Sequence, residues 1–393
     1  MNRRKTNAVW WAGRAVGFVA VFAVGWLAAV PAESRPVRVG RYTELPYGVS
    51  TEHPYPTGAA DARRTGRIDA PSPEREPTKV WEARIRAGRP SAPAIDEEGR
   101  IYVANAAGVA GVAPNGAVLF TARLGFVSAT PSITPTGDLV VGTHAGTLVI
   151  LSRSGEIRQQ TTVGGPVRGS PLVLADGSAV VGAFDQAVHR FDADGRRLFR
   201  VAIPFQVSGS IAWTTSRGIW VAASDRLLRM NAQGEVIATT VIGSQIVSGP
   251  AVADDGSVWV VGQDENLRQL APSGTLRSTT ALGAPVSPAG TLALARDGSV
   301  RVPTRGDALV CVGPTGTERW RLTGEGSFLG GAVLDENDNL LAVNERGILL
   351  SVNAEGQVRW RVNTGNRTDL APVLSKDGTV YVATVRGTLQ AWR

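Results

Sequence analysis

The segment ATPSITPTGDLVVGTHAGTLVILSRSGEIRQQTTV, residues 129–163, contains four short runs that are rich in Val, Ile, Leu and Thr. The runs are ATPSI, DLVVGT, TLVIL and EIRQQTTV, and a turn containing Gly separates each from the next. Short runs of β-forming residues with partial alternation, punctuated by Gly, indicate antiparallel strands joined by hairpins. Four such strands in about forty residues are the sheet of one propeller blade.

The same unit recurs along the chain. One series of turn signals has its second residue separated by 38, 40, 40, 39, 42, 40 and 40 residues: Glu98-Gly99, Thr136-Gly137, Asp176-Gly177, Ser216-Arg217, Asp255-Gly256, Asp297-Gly298, Asn337-Asp338 and Asp377-Gly378. A second series is separated by 39 to 42 residues: Gly116, Gly155, Gly195, Gly234, Gly274, Gly316 and Gly356. Two independent series with one period indicate a repeat protein built from one supersecondary unit.

The repeat count predicts how the ring closes. The last unit reaches Arg393 without a fourth strand, and KVWEARI (79–85) has the pattern of that strand. Trp81 lies twelve residues before Pro93, as Trp360 does before Pro372. We therefore predict an all-β, eight-bladed β-propeller of four-stranded antiparallel blades, in which the N-terminal strand closes the last blade. Seven blades are the alternative if unit four or six is divergent.

The first strand of each unit is built from small residues, as in SAPAI (91–95), RGSPLV (168–173) and VSGPAV (247–252). Innermost strands converge on the axis of a propeller, where space for side chains is smallest. This pattern assigns the first strand of each unit to the inside of its blade.

Residues 1–32 are predicted to be a signal peptide or an N-terminal membrane anchor. Arg3, Arg4, Lys5 and Arg14 precede or flank an uncharged apolar run, 15–32, that ends in small residues. A basic start and an apolar run are typical of a secretory signal. The run is also long enough to cross a bilayer, so an uncleaved anchor remains open. Either reading exports the chain to the periplasm or beyond, with the anchor tethering it to the inner membrane.

Residues 33–78 contain seven of the 23 prolines, seven acids and seven arginines, and show no strand or helix periodicity. This composition predicts a Pro-rich linker between the export segment and the propeller. The propeller is then expected to occupy 79–393.

The net charge of +7 does not indicate a nucleic-acid-binding protein. Residues 1–32 supply four of the seven charges, and 38 of the 41 basic residues are arginine. No cluster interleaves arginines with aromatic residues, as binding to single strands requires. One cysteine, Cys311, excludes a disulfide framework and a zinc ribbon.

Residues 58–393 resemble the pyrroloquinoline-quinone (PQQ)-like β-propeller repeat proteins. SPLVLADGSAVVGAFDQAVHRFDADGRRLF (170–199) and APVLSKDGTVYVATVRGTLQAW (371–392) carry the likeness, and 58–83 resembles the lead-in to such propellers. In that family the quinone-dependent alcohol dehydrogenases have an adjacent cysteine pair, calcium ligands and a catalytic Asp, and this sequence has none of these motifs. The resemblance therefore implies the non-catalytic branch, which includes the propeller lipoprotein of outer-membrane protein assembly. The lipid-attachment cysteine of that lipoprotein is missing here.

Candidate site residues each have a structural interpretation. Asp335, Asn337 and Asn339 space oxygen ligands like positions 1, 3 and 5 of a calcium loop, but Leu340 and Arg346 stand where the loop needs Gly and Glu, so we interpret the segment as a turn. His144 and His189 have no third ligand nearby in sequence, and Cys311 lies in an apolar run. We therefore expect no catalytic residue, no metal site and no cofactor.

The aromatic residues divide into two groups. Members of the first occupy matching places on outer strands, where they are expected to pack between blades: Trp81, Phe120, Phe199, Trp320 and Trp360. Trp213 instead lies on an inner strand of small residues, SGSIAWTT. We expect it to plug the channel or to present a stacking face there.

These patterns favour an exported cell-envelope propeller that acts as a non-catalytic protein-interaction scaffold for an unidentified envelope protein. A monomer that touches the membrane only through its N-terminal segment is expected. The alternative is a glycan-binding or small-ligand-binding module in the propeller funnel, with Trp213 as the stacking residue. A PQQ-dependent oxidoreductase is less favoured because its motifs are absent.

Overall fold

In the computed structural model, residues 53–85, 88–207, 209–214, 218–231, 233–288 and 290–393 are described. Their regular elements are 32 β-strands in eight four-stranded antiparallel sheets. Each sheet is one blade, and the blades follow one another in a ring. The predicted eight-bladed β-propeller is confirmed.

Strands are numbered in chain order and blades by their place along the chain. Blade 1 contains β2 (Ala94–Ile95), β3 (Ile101–Asn105), β4 (Gly108–Val112) and β5 (Val118–Arg123). Blade 2 contains β6 (Ser132–Ile133), β7 (Leu139–Gly142), β8 (Thr147–Leu151) and β9 (Ile157–Thr162). Blade 3 contains β10 (Leu172–Val173), β11 (Ala179–Ala183), β12 (Ala187–Phe191) and β13 (Arg197–Ala202). Blade 4 contains β14 (Ala212–Thr214), β15 (Gly218–Ala223), β16 (Arg226–Asn231) and β17 (Val236–Val241).

The second half of the ring repeats this pattern. Blade 5 contains β18 (Ala251–Val252), β19 (Val258–Val261), β20 (Asn266–Leu270) and β21 (Leu276–Ala281). Blade 6 contains β22 (Ala293–Leu294), β23 (Val300–Pro303), β24 (Ala308–Val312) and β25 (Glu318–Thr323). Blade 7 contains β26 (Ala332–Leu334), β27 (Leu340–Val343), β28 (Ile348–Val352) and β29 (Val358–Asn363). Blade 8 contains β30 (Val373–Leu374), β31 (Val380–Thr384), β32 (Thr388–Trp392) and β1 (Lys79–Arg84).

The N-terminal strand closes the ring as predicted. β1 pairs antiparallel with β32, with Trp81 opposite Ala391 and Glu82 opposite Gln390. Blade 8 therefore joins the two ends of the propeller, and its fourth strand comes from the opposite end of the chain. Pairing β32 in this way leaves it without an open edge.

The Asp-Gly signals form the turns between the first and second strands. In blade 3 the amide of Gly177 donates to the Leu174 carbonyl at 2.9 Å, and Gly177 has φ 79°. The Asp176 carboxylate accepts the amide of Ser178 at 2.9 Å. Glycine adopts the left-handed backbone conformation of this position without the strain that a Cβ would add. This requirement explains why the signal recurs at a regular spacing.

Aromatic residues on outer strands join neighbouring blades. The Trp81 indole donates to the Pro114 carbonyl of blade 1 at 2.8 Å, and the Trp320 indole donates to Ala354 of blade 7 at 2.8 Å. A Cβ added to Gly356 would lie 2.7 Å from the Trp320 ring. The glycine of the second series therefore leaves room for the aromatic ring of the preceding blade, and the predicted interblade packing is confirmed.

The same contact recurs at the closure of the ring with a different partner. Blade 8 has no turn between its third and fourth strands, because β32 ends near Arg393 and β1 begins at Lys79. The Trp360 indole of blade 7 donates instead to the Pro73 carbonyl at 2.8 Å. The residues that lead into β1 thus replace the missing turn.

Residues 53–72, which we call the floor segment, run across the inner strands of the ring. Their backbone contacts follow the order of the blades: Tyr55 with Ile95, Pro56 with Ile133, Ala62 with Trp213, Arg63 with Val252, Thr65 with Leu294, and Gly66 with Leu334. The carbonyl of Pro56 accepts at 2.8 Å and that of Thr65 at 2.7 Å. The segment therefore closes one end of the central channel.

The linker predicted for 33–78 does not extend over residues 53–72, which pack on the propeller. His53, Tyr55 and Arg64 are each less than 5% exposed. The segment lacks a strand periodicity because its hydrogen bonds go to the ends of several separate strands and not to one neighbour. The export segment, 1–32, and residues 33–52 lie outside the described residues. Among the described residues, no helix is long and apolar enough to span a membrane.

Candidate functional site

The central channel forms a funnel of about 630 Å³ that is closed at one end by the floor segment. Its wall consists of the loops that enter the inner strands, and most of its residues are small: Ala92, Ala129, Gly169, Ser170, Ser210, Gly249, Ser287, Gly290 and Ala371. A Cβ added to Gly169 would lie 2.3 Å from the Gly209 carbonyl oxygen. Convergence of the blades therefore requires the small residues, and the predicted placement of the first strands is confirmed.

Arg64 holds the floor in place. Its guanidinium donates to the carbonyls of Ile211 at 3.1 Å, Gly58 at 2.8 Å and Ser170 at 3.0 Å, and to the Thr57 hydroxyl at 2.7 Å. Burial lowers the pKa of Arg64 to about 10, which leaves it charged at neutral pH. A buried guanidinium needs acceptors for its five N–H groups, and here main-chain carbonyls supply most of them.

The opposite, open end of the funnel has a cluster that we call the rim site: Phe126, Ser128, His144, Arg168 and Phe184. The rings of Phe126 and His144 lie 4.1 Å apart between centroids. The His144 Nε2 atom and the Ser128 hydroxyl are hydrogen-bonded at 2.7 Å. The guanidinium carbon of Arg168 lies 4.3 Å from the centre of the Phe184 ring. The first four of these residues line the funnel.

The charges of the rim site are positive. Partial burial, and then the nearby charge of Arg168, lower the pKa of His144, so its imidazole is neutral at neutral pH. Arg168 is exposed and has no carboxylate partner among the described residues. None of the described residues that line the funnel is Asp or Glu. The rim therefore presents one unpaired guanidinium to the funnel.

A second arginine of the funnel is neutralised. Arg89 forms an ion pair with Asp369, whose side chain is 8% exposed. The N–H groups of Arg64 are used in hydrogen bonds to carbonyls, and Arg89 is paired with Asp369. Arg168 differs from both because its guanidinium has neither kind of partner among the residues that the structure describes. The positive charge that the funnel offers to a partner is concentrated at the rim site.

Trp213 is placed beside the floor segment and is not among the residues lining the funnel. Its amide donates to the Ala62 carbonyl at 2.8 Å, and its half-buried side chain packs on a cluster that includes Ala62 and Leu172. The floor segment itself closes the channel.

The two histidines that sequence analysis singled out have different surroundings. His189 lies buried on β12, where its Nε2 atom is 3.0 Å from Asp185. Burial alone would raise the pKa of Asp185, but hydrogen bonds from His189 and Arg200 lower it overall. His144 belongs to the rim site and has no part in this pair.

The other candidates are structural. Cys311 is buried in β24, and burial raises the pKa of its thiol. Asp335 accepts the amides of Asn337 and Asn339 at 2.9 and 2.8 Å, as in an ordinary turn. No group of three His, Cys, Asp or Glu side chains in the described residues has the geometry of a metal site.

Sequence analysis does not identify Arg168, whose position in the repeat is occupied by other residue types in the other units. Pairing of the inner strands aligns it with Ser128 in blade 2, Val247 in blade 5, Leu329 in blade 7 and Asp369 in blade 8. An arginine at a position that is usually small or apolar is the signal that would have found it. The floor segment had no comparable signal.

A family model described as outer membrane protein assembly factor BamB matches residues 65–265 and 263–393. The chain belongs to this family. It is a PQQ-like β-propeller repeat protein, as its repeats suggested. No curated protein sequence matches the chain.

Solved structures share the fold. BamB from Moraxella catarrhalis is 18% identical over 81% of this chain and 97% of its own, with a TM-score of 0.65. Quinohemoprotein alcohol dehydrogenase from Comamonas testosteroni is 13% identical over 88% of this chain and 81% of its own, with a TM-score of 0.73. A europium-containing methanol dehydrogenase is 12% identical over 85% of this chain and 89% of its own, with a TM-score of 0.70. At these identities the likeness shows the fold alone.

The funnel does not fit the quinone cofactor that the quinohemoprotein neighbour suggests. The chain has one cysteine, and Cys311 is buried within blade 6, so no cysteine pair faces the funnel. The described lining offers no Asp, Glu, Asn or Gln side chain to a calcium ion. Hard cations need oxygen ligands of this kind. The donor set is therefore wrong for a quinone held with calcium.

Proposed function

We propose that this chain is an exported, non-catalytic protein-interaction scaffold of the cell envelope. The observation that carries the proposal is membership of a family described as an outer-membrane protein assembly factor, over nearly all of the propeller. The chemistry of the funnel supports it, because the described lining combines small residues with a few basic groups and contains no Asp or Glu that could orient His144 as a general base.

The mechanism is geometric. Strand pairing closes the ring between β1 and β32, and the floor segment ties the inner strands of successive blades together. A partner then meets loops that are already held in place, so little conformational entropy is lost on binding. Because the floor segment covers one end, we assign the docking surface to the open end of the funnel.

The positions of the exposed apolar residues are consistent with only a small apolar contact at the open end of the funnel. Most large ones in the described residues lie on outer strands at the sides of the blades: Val80, Val118, Leu119, Ile157, Val236, Ile237, Val241 and Leu276. Phe126, 46% exposed, is the exception at the funnel. The docking surface is therefore mainly polar with one apolar contact, as in many non-obligate interfaces.

A second candidate function is the binding of a glycan or small ligand in the funnel. The cavity of about 630 Å³ and the aromatic residue at its mouth favour it. Phe126, and not Trp213, would be the stacking residue in that case.

Crosslinking in the native envelope tests the proposal. The mature protein is crosslinked in intact cells, purified under denaturing conditions and analysed by mass spectrometry. We expect one envelope protein as the dominant adduct of the monomeric propeller. Recovery of peptidoglycan or sugars with no protein adduct would reject the scaffold in favour of the ligand-binding module.

An activity assay tests the enzyme class separately. Purified protein is supplied with pyrroloquinoline quinone, calcium and a panel of alcohols, and reduction of an artificial dye is followed. We expect no quinone-dependent reduction above the rate without protein. Saturable reduction that needs both quinone and protein would restore the oxidoreductase.

A further inference from the structure

We propose that the rim site binds an acidic side chain of the protein partner, with Arg168 as the ionic contact and Phe126 as the apolar contact. This inference rests on the proposed scaffold function and names the chemistry of its partner. Three features support it: the unpaired charge of Arg168, the preorganised guanidinium, and the exposed Phe126 ring that packs on His144 in the same cluster.

Among the three arginines of the described funnel lining, Arg168 is the one whose guanidinium has no hydrogen-bond acceptor or carboxylate partner within the described part of the protein. Arg64 donates to main-chain carbonyls and the Thr57 hydroxyl, and Arg89 pairs with Asp369. The described lining contains no carboxylate that would compete for Arg168. A partner group that is electrostatically complementary to this wall is therefore negatively charged.

The guanidinium of Arg168 is held ready for such a group. It lies 4.3 Å from the centre of the Phe184 ring, within the range of a cation–π contact. A stacked guanidinium keeps the N–H groups of its edge available, and these match the two oxygens of a carboxylate. Stacking also reduces the side-chain entropy that binding would otherwise remove.

The neighbouring groups add an apolar contact and a polar one. Phe126 is 46% exposed, although its ring packs against His144 on one side. His144 is oriented by its hydrogen bond with Ser128. A partner residue next to the acidic one would cover Phe126, and desolvation of this kind strengthens the nearby ion pair.

These observations favour a protein segment over a small anion. A small anion that entered the funnel would find the donors of Arg64 already used on the floor, because Arg64 is only 3% exposed and donates to carbonyls there. At the rim it would contact Arg168 and leave Phe126 in water. An acidic residue carried by a chain with an aromatic or aliphatic neighbour satisfies both groups together.

The test uses two peptides and the whole propeller. Acetyl-Gly-Phe-Glu-Phe-Gly-amide and the same peptide with Gln in place of Glu are titrated into the protein by calorimetry at low salt. We expect the Glu peptide to bind at least about tenfold more tightly, because a charge-assisted hydrogen bond to Arg replaces a neutral one. R168Q should remove this preference, and R168K should keep part of it.

A matched variant controls for surface charge. R277Q removes an exposed arginine from an outer strand, where it pairs with Asp255, and should keep the full preference for Glu. Equal affinity of the two peptides for the wild-type protein, or a preference that survives R168Q, would overturn the assignment. Sodium acetate that binds as tightly as the Glu peptide would also overturn it and would identify a small-anion site.

A second experiment separates this inference from the scaffold function. A photo-crosslinking amino acid replaces Phe126 in one strain and Leu276, on the outer strand of blade 5, in another. Crosslinking of one envelope protein from position 126 supports the rim site. A protein adduct from position 276 alone would overturn the rim site and leave the scaffold, whereas sugar adducts alone from both positions would overturn both.

Discussion

Arg64 and Arg168 both line the central funnel, but they lie at opposite ends of it and in opposite surroundings. Arg64 is buried in the floor, and its N–H groups donate to carbonyls of blades 3 and 4 and of the floor segment. Arg168 is exposed at the rim and has no acceptor of its own among the described residues. The same residue type therefore stabilises the fold at one end and remains available for a partner at the other.

The largest expected effect concerns the floor. R64Q removes the donors that satisfy several buried carbonyls, and each unsatisfied buried group costs about 1–3 kcal/mol. We expect the free energy of unfolding to fall by about 3 kcal/mol or more, as measured by urea denaturation. R168Q is the matched control at the rim and should change it by less than about 0.5 kcal/mol. Similar losses in both variants would remove the distinction between the two ends.

Trp213 is the next test of the floor. Its half-buried ring packs on the buried cluster that includes Ala62 and Leu172, so W213A should lower the free energy of unfolding by about 2 kcal/mol, less than a fully buried Trp would. W213F retains most of this packing and should lose less. Binding of the Glu peptide should be unchanged in both variants. Normal stability together with loss of glycan binding would instead support the stacking role.

At the rim, F126S should leave the fold intact and weaken docking. Phe126 is 46% exposed, so its replacement removes little buried area, and a stability change within about 0.5 kcal/mol is expected. Yields of the envelope crosslink, measured with a chemical crosslinker that reacts elsewhere on the protein, should fall severalfold. L276S on the side of blade 5 is the control. Equal crosslink yields for wild type and F126S would place the apolar contact elsewhere.

The smallest effect is a titration. Because burial and the charge of Arg168 lower the pKa of His144, the folded state binds its proton less tightly than the unfolded state does. This group therefore reduces stability as pH falls below the ordinary histidine value of about 6.5. R168Q should raise the pKa of His144 in an NMR titration. An unchanged pKa would show that Arg168 does not act on the imidazole.

The propeller itself was predictable because its information is repeated. Eight turn signals, seven glycines and the register of Trp81 with Trp360 fixed the number of blades and the strand that closes them. Each signal has a local cause, such as the positive φ of Gly177 or the space that Gly356 leaves for Trp320. A divergent turn signal in one unit therefore does not change the predicted number of blades, because the other units preserve the period.

The floor segment and the rim site were not predictable in this way. Residues 53–72 form backbone contacts with the inner strands of successive blades, up to 268 residues away in sequence for the pair of Gly66 with Leu334. Neither periodicity nor local turn chemistry reports such partners, and the prolines pointed to a linker. The role of Arg168 depends on which charges are already paired, and Arg89 with Asp369 shows that this is decided by tertiary contacts.

Hydrogen exchange of the propeller, alone and in complex with the partner captured by crosslinking, tests the division between floor and rim most directly. The floor segment should be protected in the free protein and unchanged in the complex, while loops 124–130 and 164–169 at the rim should gain protection. Unchanged rim loops, with new protection on the outer strands or at the floor, would show that the open end of the funnel is not the docking surface.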